Sequence, residues 1–341
     1  MITHRTCLTR GSFEPALGRD DPRSSDSRKD HNRPVRFVGN VGAVIDGRRV
    51  AEEVRSELRP RVSALSSQGV VPGLAAILVG DDPASKLYVR AKARACDEMG
   101  LGHETRVLPA DTSEAELLKR IRELNQDPNV HGILVQQPLP PQVAPDRVVR
   151  TVDPRKDVDC FHPENVGLVL LGTPRFAPAT PAGIVELLVR SRYPPDGKHV
   201  VIIGRSNIVG KPLAAMLIQK AQHANATVTV AHRGTTDLPS HTVRADILVA
   251  ATGRPRWITA DMVRPGAVVI DVGTTRVPDP TVKGGYRTVG DVDFEAVRPK
   301  AAAITPVPGG VGPMTIAMLL HNTVLAAETI HRESSRKLKP K

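Results

Sequence analysis

Two spacings of apolar residues alternate along this chain. The run GLAAILVG at 73–80 is short, continuous and closed by glycine, which predicts a buried strand. TRVLPA (105–110) predicts a second strand, and HGILVQQPLP (131–140) a third that ends in a proline-rich turn. Between them lie helical patterns. Residues 47–66 predict a helix that Pro60 should bend or interrupt. Residues 84–99 carry Leu87, Ala91 and Ala95 at helical spacing, with no glycine or proline. Residues 114–124 form an amphipathic stretch behind Thr112 and Ser113, a near-capping arrangement. Strands alternating with helices predict a parallel sheet with right-handed crossovers.

The pattern restarts after TPRFAPATP (173–181). A helix near 182–192 leads into HVVIIG (199–204), then a glycine-bounded turn and the helical KPLAAMLIQKA. ATVTVAHR (226–233), ADILVAATG (245–253) and AVVIDVG (267–273) predict further strands. ITPVPGGVGPMTIAMLL (304–320) begins as a proline- and glycine-rich loop and ends as an apolar helix. The fold class expected is α/β in two domains: an N-terminal three-layer α/β domain and a C-terminal Rossmann-like, doubly wound parallel sheet. A chain of 341 residues suits two domains of ordinary size. Aromatic residues are only 3%, so both cores must rest on Val, Ile, Leu and Ala.

Charge changes the picture less than its total suggests. The formal net charge is +11, but residues 1–40 hold eight Lys/Arg against five Asp/Glu, and 332–341 hold five against one. The middle is therefore only mildly basic, and no aromatic stacking platform interleaves its cations, which argues against nucleic-acid binding. The arm 1–40 shows no apolar periodicity and reads as disordered, as does the basic tail 332–341. Arg and Ser hint at a transit peptide, against which stand five acidic residues; a true start near Val38 or Val41 is the alternative expected. Cys7, Cys96 and Cys160 are far apart and odd in number, so neither a disulfide framework nor a zinc site is suggested. No His/Asp/Glu cluster has metal spacing, and no apolar run is long enough to span a membrane. A reducing, cytoplasmic setting fits.

In VVIIGRSNIVGKP (200–212) one glycine ends a strand and another opens a helix. Backbone can approach a pyrophosphate closely there, and helix N-terminal amides stabilise the anion. Gly204, Arg205, Ser206 and Gly210 are the candidate cofactor contacts. Ser206 stands where a GxGxxG loop has its second glycine, and Gly210 comes one residue late, so a plain strand-to-helix turn also fits. The next strand ends in Arg233 with no acid nearby. Arg205 and Arg233 suit a 2′-phosphate, favouring NADP over NAD, although either could be a solvated surface charge.

Tyr88 and Lys92 are four residues apart and share a helix face. By itself such a pair is an ordinary half-buried tyrosine beside a solvated lysine. Five segments in order give it more weight: ASKLYVRAKARACDEMG (84–100), GILVQQPLP (132–140), KDVDCFHPENVG (156–167), GRSNIVGKP (204–212) and TPVPGGVGPMT (305–315). Together they closely resemble the signatures of the bifunctional methylenetetrahydrofolate dehydrogenase/cyclohydrolase family over about 43–330.

The resemblance implies a folate-binding catalytic domain of 41–168 that takes back residues 312–331, an NADP-binding domain of 169–311, and a homodimer formed through the latter. It implies that Lys92 is the central catalytic group of hydrolysis, that Tyr88 stacks on the pterin and helps orient Lys92, and that Gln136 hydrogen-bonds the lysine. Asp159 would accept from the pterin's amino and ring N–H groups. Ser85 and Val135 would flank that pocket, Pro308, Gly309, Gly310, Gly312 and Pro313 would line it near the nicotinamide, and Thr274 would touch the cofactor. The implied reactions are NADP-dependent oxidation of 5,10-methylenetetrahydrofolate and hydrolysis of the methenyl product to 10-formyltetrahydrofolate. Gln137, Cys160, Ala179 and Thr274 depart from the family pattern, and Cys160, beside Asp159, bears most directly on folate affinity. A monofunctional dehydrogenase of the same fold, or a basic-tailed binding module without catalysis, are the competing readings.

Overall fold

The computed structural model describes residues 42–337 apart from Lys283. The expected disordered arm 1–40 and the start sites near Val38 or Val41 lie outside these residues. In chain order the elements are β1 (Ala43–Val44), α1 (Gly47–Ser66), β2 (Gly73–Val79), α2 (Pro83–Met99), β3 (Gly102–Leu108), α3 (Glu114–Gln126), β4 (Gly132–Val135), α4 (Pro145–Thr151), α5 (Pro163–Leu170), α6 (Ala179–Arg190), β5 (His199–Ile203), α7 (Gly210–Leu217), β6 (Thr227–Ala231), α8 (Leu238–Thr242), β7 (Ile247–Ala250), β8 (Val268–Asp271), β9 (Thr275–Pro278), β10 (Tyr286–Val289), α9 (Phe294–Val297), β11 (Ala303–Ile304) and α10 (Val311–Lys337).

Strands β3-β2-β4 form a parallel sheet whose centre, β2, is buried along its whole length. Because side chains alternate across a strand, Leu74, Ala76 and Leu78 face the helices α1, α2 and α10. Ala75, Ile77 and Val79 face α3 through Leu117, Leu118, Ile121 and Leu124. This is the expected three-layer unit. The larger sheet runs β1-β11-β8-β7-β5-β6, every pairing parallel. The chain leaves β5 for β6 on one side and returns to β7 on the other. That reversal opens a crevice outside the carboxyl ends of β5 and β7, the usual ligand position in a doubly wound sheet.

The structure departs from the expected pattern in several places. Helix α1 runs unbroken through Pro60. A proline inside a helix costs about 3 kcal/mol, but Leu58, Val62 and Leu65 are all buried on the same helix, each contributing roughly 1.5–3 kcal/mol, while Pro60 itself faces solvent. In α2 the apolar spacing misleads: Leu87 and Ala91 are exposed, and the buried face is Ser85, Val89, Lys92, Ala95, Cys96 and Met99. The helix expected through Ala221 ends at Leu217.

Both domain limits also shift. β1, placed with the first domain on sequence, pairs with β11 in the large sheet. The tail expected to begin at 332 instead continues α10 to Lys337, since no glycine or proline interrupts the helix before Pro340. The antiparallel β9–β10 hairpin and the short helices α4 and α5 carried no clear periodic signal.

Helix α10 belongs to both halves. It packs on α1 and α6 and reaches the faces of β2 and β4. Its entry loop is fixed by the Gly47 N–H, which donates to Gly309 O (2.9 Å). A Cβ at Gly47 would collide with the Gly310 carbonyl. Gly47→Ala is therefore expected to destabilise the fold by about 1–3 kcal/mol and to loosen the 308–313 loop, measurable by denaturant melts; an unchanged midpoint would show that the contact yields freely.

Candidate active site

Helix α2 starts from a capped N-terminus, the Asp82 carboxylate accepting from Ser85 N at 2.7 Å. That cap fixes the helix phase, and with it the inward direction of Ser85 and Lys92, which are 3% and 8% exposed. Tyr88, one turn before Lys92, is 39% exposed and presents its ring at the surface of the site. Strand β4 brings Gln136 from the other side: Lys92 Nζ donates to its Oε1 at 3.1 Å. The Gln136 amide is itself held, donating through Nε2 to Gln137 O at 2.8 Å. Ser85 Oγ donates to the same carbonyl at 3.5 Å. Val135, half-buried, ends the strand just before Gln136.

The third component is the 156–160 loop. Ile133 N donates to Lys156 O at 2.7 Å, tying the loop to β4. Lys156 Nζ donates to Leu124 O and Asp127 O at the end of α3. Asp157 accepts from Phe161 N, His162 N and Asn165 Nδ2, so it organises the loop from within. Asp159 has no hydrogen-bond or ion-pair partner among the described residues and, with Gln137, Asp157 and Phe161, lines a small cleft against Val135.

Burial pushes the Lys92 ammonium below its ordinary range, with the Asp159 charge pulling the other way. Burial likewise pushes Asp159 up to about 6, opposed by Lys92 and helped by Asp157. An amine whose pKa is lowered and a carboxylate whose pKa is raised, each acting on the other's charge, are suited to exchanging protons with a bound molecule. The structure thus brings Ser85, Lys92, Gln136 and Asp159 together, with Tyr88 at the rim.

Cys160, in place of the family's glycine, takes a left-handed backbone (φ 61), a conformation that costs a non-glycine residue about 1 kcal/mol. Its buried thiol donates to Phe176 O at 3.2 Å, and burial raises its pKa, so it is not a reactive thiolate.

The second cluster is built from backbone. Gly204, at φ 135, follows β5, and a Cβ there would strike the Ala251 carbonyl; one at Gly210 would strike the Gly204 carbonyl. The turn is therefore as tight as close approach to a diphosphate requires. Ser206 Oγ accepts from Val209 N at 3.1 Å and shapes the turn instead of pointing away from it. Helix α7 begins at Gly210 without a side-chain cap, leaving its N-terminus open to an anion. Arg205 and Arg233 are exposed and have no acidic partner among the described residues, so two guanidiniums are available at the ends of β5 and β6. Thr274 is exposed just beyond β8.

Two carboxylates that sequence reasoning passed over brace this crevice. Asp291 accepts from Thr252 N and Gly253 N, holding the loop after β7. Asp271 accepts from Gly273 N, Asp291 N and Val292 N. Burial, ahead of these hydrogen bonds, pushes Asp271 up to about 7. The available signal was an Asp beside a glycine at two strand ends, DVG and GDV.

Pro308, Gly309, Gly310, Gly312 and Pro313 form the loop and first turn that open α10, with Gly310 buried. No hydrogen bond or ion pair among the described residues joins Lys92 to the Gly204 turn. The two halves do approach at the rim: Asp82 is held below its usual range first by Ser85 N–H, and Arg276 of β9 adds to the effect.

Comparison with known proteins agrees with this geometry. The family model "Tetrahydrofolate dehydrogenase/cyclohydrolase, catalytic domain" matches residues 45–159, and its NAD(P)-binding counterpart matches 178–331. The bifunctional protein FolD of Chlorobium phaeobacteroides is 55% identical over 291 residues, covering 84% of this chain and 99% of that protein. Among solved structures, the Trypanosoma brucei methylenetetrahydrofolate dehydrogenase-cyclohydrolase, complexed with NADP cofactor and inhibitor, superimposes with TM-score 0.81 at 40% identity over 85% of this chain and 98% of that one. The Campylobacter jejuni FolD structure gives 0.78 at 46% identity, covering 84% and 99%. With both of its domain models matching and a relative 55% identical over 84% of the chain, the protein belongs to the tetrahydrofolate dehydrogenase/cyclohydrolase family.

Proposed function

We propose that this protein oxidises 5,10-methylenetetrahydrofolate with NADP+ and hydrolyses the methenyl product to 10-formyltetrahydrofolate, both at the cleft beside Lys92. The observation that carries the reading is the buried Lys92–Gln136 hydrogen bond, with the Asp159 charge acting on the same amine. A monofunctional dehydrogenase would have no use for a desolvated amine held there.

The glycine cradle, the open α7 N-terminus and two uncommitted arginines fit NADP. When bound, NADP+ supplies a hydride acceptor, and the cofactor itself carries that chemistry. The protein's part is placement: Gly204, Ser206 and Gly210 receive the diphosphate, Arg205 and Arg233 the 2′-phosphate, and Thr274 lies where the cofactor continues. Asp159 accepts from the pterin's N–H donors and Tyr88 covers its face. Val135, Ser85 and the 308–313 loop close the pocket. Fixed placement of this kind removes much of the entropic barrier.

In the hydrolytic half, neutral Lys92 accepts a proton from the water that adds to the methenyl carbon. The resulting ammonium returns a proton to the ring nitrogen as its bond to that carbon breaks, and one proton leaves to solvent overall. Gln136 accepts from Nζ throughout and keeps the amine aimed at the cleft. In this reading the three-layer unit with α10 handles folate, and the large parallel sheet handles the dinucleotide.

A homodimer through the C-terminal domain is part of the proposal. It is supported by Leu170, Leu171 and Ile218, which are 61%, 75% and 55% exposed. They adjoin one another because Gln219 Nε2 donates to Leu170 O. Strand β6 also ends the large sheet with Val230 exposed. Such a face and an open edge are commonly covered by a second copy. No helix among the described residues is long and apolar enough to cross a membrane.

The central test is Lys92→Met, assayed by following NADPH formation and methenyl decay separately. Hydrolysis is expected to fall by about two to four orders of magnitude while NADP+ still binds; undiminished hydrolysis would remove the mechanism. In the unmodified protein hydrolysis should rise with pH as Lys92 loses its proton, with a midpoint below 10.5.

Stability carries the same signature. The unfolded chain holds the Lys92 proton to higher pH, so this residue makes stability increase with pH from its lowered folded pKa up to 10.5. Asp159 acts oppositely: its contribution is complete below 3.8 and is lost as pH rises through about 6. Melts of Lys92→Met against pH should lack the alkaline rise; its persistence would assign that rise elsewhere. For assembly, light scattering should give a dimer that Leu171→Glu weakens, and a monomeric unmodified protein would end that part of the reading.

A further inference from the structure

Asp159 has a peculiarity: its carboxylate has no hydrogen-bond partner in the protein among the described residues, so no hydrogen bond of its own fixes its direction and the placement of its backbone matters the more. That backbone is tethered on both sides. Val158 O, just before it, accepts from Asn322 Nδ2 at 2.7 Å. Cys160, just after it, donates through Sγ to Phe176 O at 3.2 Å. The same Asn322 Nδ2 donates to Ala177 O at 2.8 Å, so both tethers converge on the 176–178 segment that leads into α6.

Asn322 is 1% exposed on α10, the helix that starts in the 308–313 loop. Its neighbourhood is rigid. Gly132 lies so close to Val158 and Thr323 that a Cβ there would meet both side chains near 3 Å, which pins β4, the Asp159 loop and α10 together. Asn322 therefore holds one end of the loop bearing Asp159 in register with the helix that carries the glycine loop.

We infer that Asn322 is a positioning residue for folate, acting through Asp159, with the Cys160 thiol as the second strut. The inference rests on the functional reading above and adds a determinant of substrate affinity that contacts neither substrate nor cofactor. Cys160 then has a use despite its strained backbone, since a glycine there would offer no side chain to reach Phe176 O.

The test is the split between KM and kcat. In Asn322→Ala that is folded and of unchanged assembly state, KM for 5,10-methylenetetrahydrofolate should rise about tenfold, the equivalent of one to two lost buried hydrogen bonds. KM for NADP+ should stay within about twofold. Asn322→Gln, which keeps an amide donor, should recover part of the loss. Cys160→Ala, which preserves the backbone constraint and is the milder change, should raise the folate KM by about two- to fivefold, and carries the test alone if Asn322→Ala does not fold. Unmoved folate KM in Cys160→Ala and any folded Asn322 variant would overturn the inference. So would a parallel rise in both KM values with a lowered melting temperature, the mark of a purely structural role. The unmodified protein assayed alongside separates the two readings: turnover with unmoved KM removes this inference alone, and no turnover removes the functional reading and this inference with it.

Discussion

A charged amine prefers water, and everything around Lys92 is arranged to keep it out of water. Three things must then be supplied nearby: an acceptor for its remaining hydrogens, a compensating negative charge, and walls that do not admit solvent. Gln136, just after β4, provides the first, Asp159 the second, and the inward faces of α2 and β2 the third. Each comes from a different element, so the site exists only when the three-layer unit is assembled. The cost of holding the amine there is returned as reactivity, because burial lowers the pKa of its ammonium.

The two sites are built on opposite principles. Around Lys92 the chemistry belongs to side chains, and the backbone serves to aim them. Around Gly204 the chemistry belongs to the backbone, and side chains would be obstacles, as the collisions awaiting any Cβ at Gly204 and Gly210 make plain. Asp271 and Asp291 extend the second principle: these two buried carboxylates accept from backbone N–H groups in the segments that follow β7, β8 and β10. Such loops can be stiff without a hydrophobic core of their own.

Much of this was legible in the linear order of residues. Buried parallel strands announce themselves as unbroken Val, Ile, Leu and Ala runs, which is why β2, β5, β7 and β8 could be read directly. The site residues became legible through five motifs in register, since Lys92 alone looks like any surface lysine. What stayed hidden has physical reasons. The inner face of α2 is marked by Ser85 and Lys92, polar residues that hydrophobic periodicity cannot see. Pro60 signals a break that the burial of its neighbours overrides. Two-residue strands such as β1 and β11 have no period at all, and their pairing is decided by distant partners. Asn322 carries no local signal, because its role lies in two carbonyls far away in the chain.

The pairing of Ala43 with Ala303 binds the first described strand to the last one. A ribosome must deliver nearly the whole sequence before that edge of the large sheet can close, and α1 awaits α10 in the same way. Contacts so remote in sequence are entropically slow to form. The two halves are thus not beads on a string: severing the polypeptide between them would leave each fragment missing a piece that the other carries.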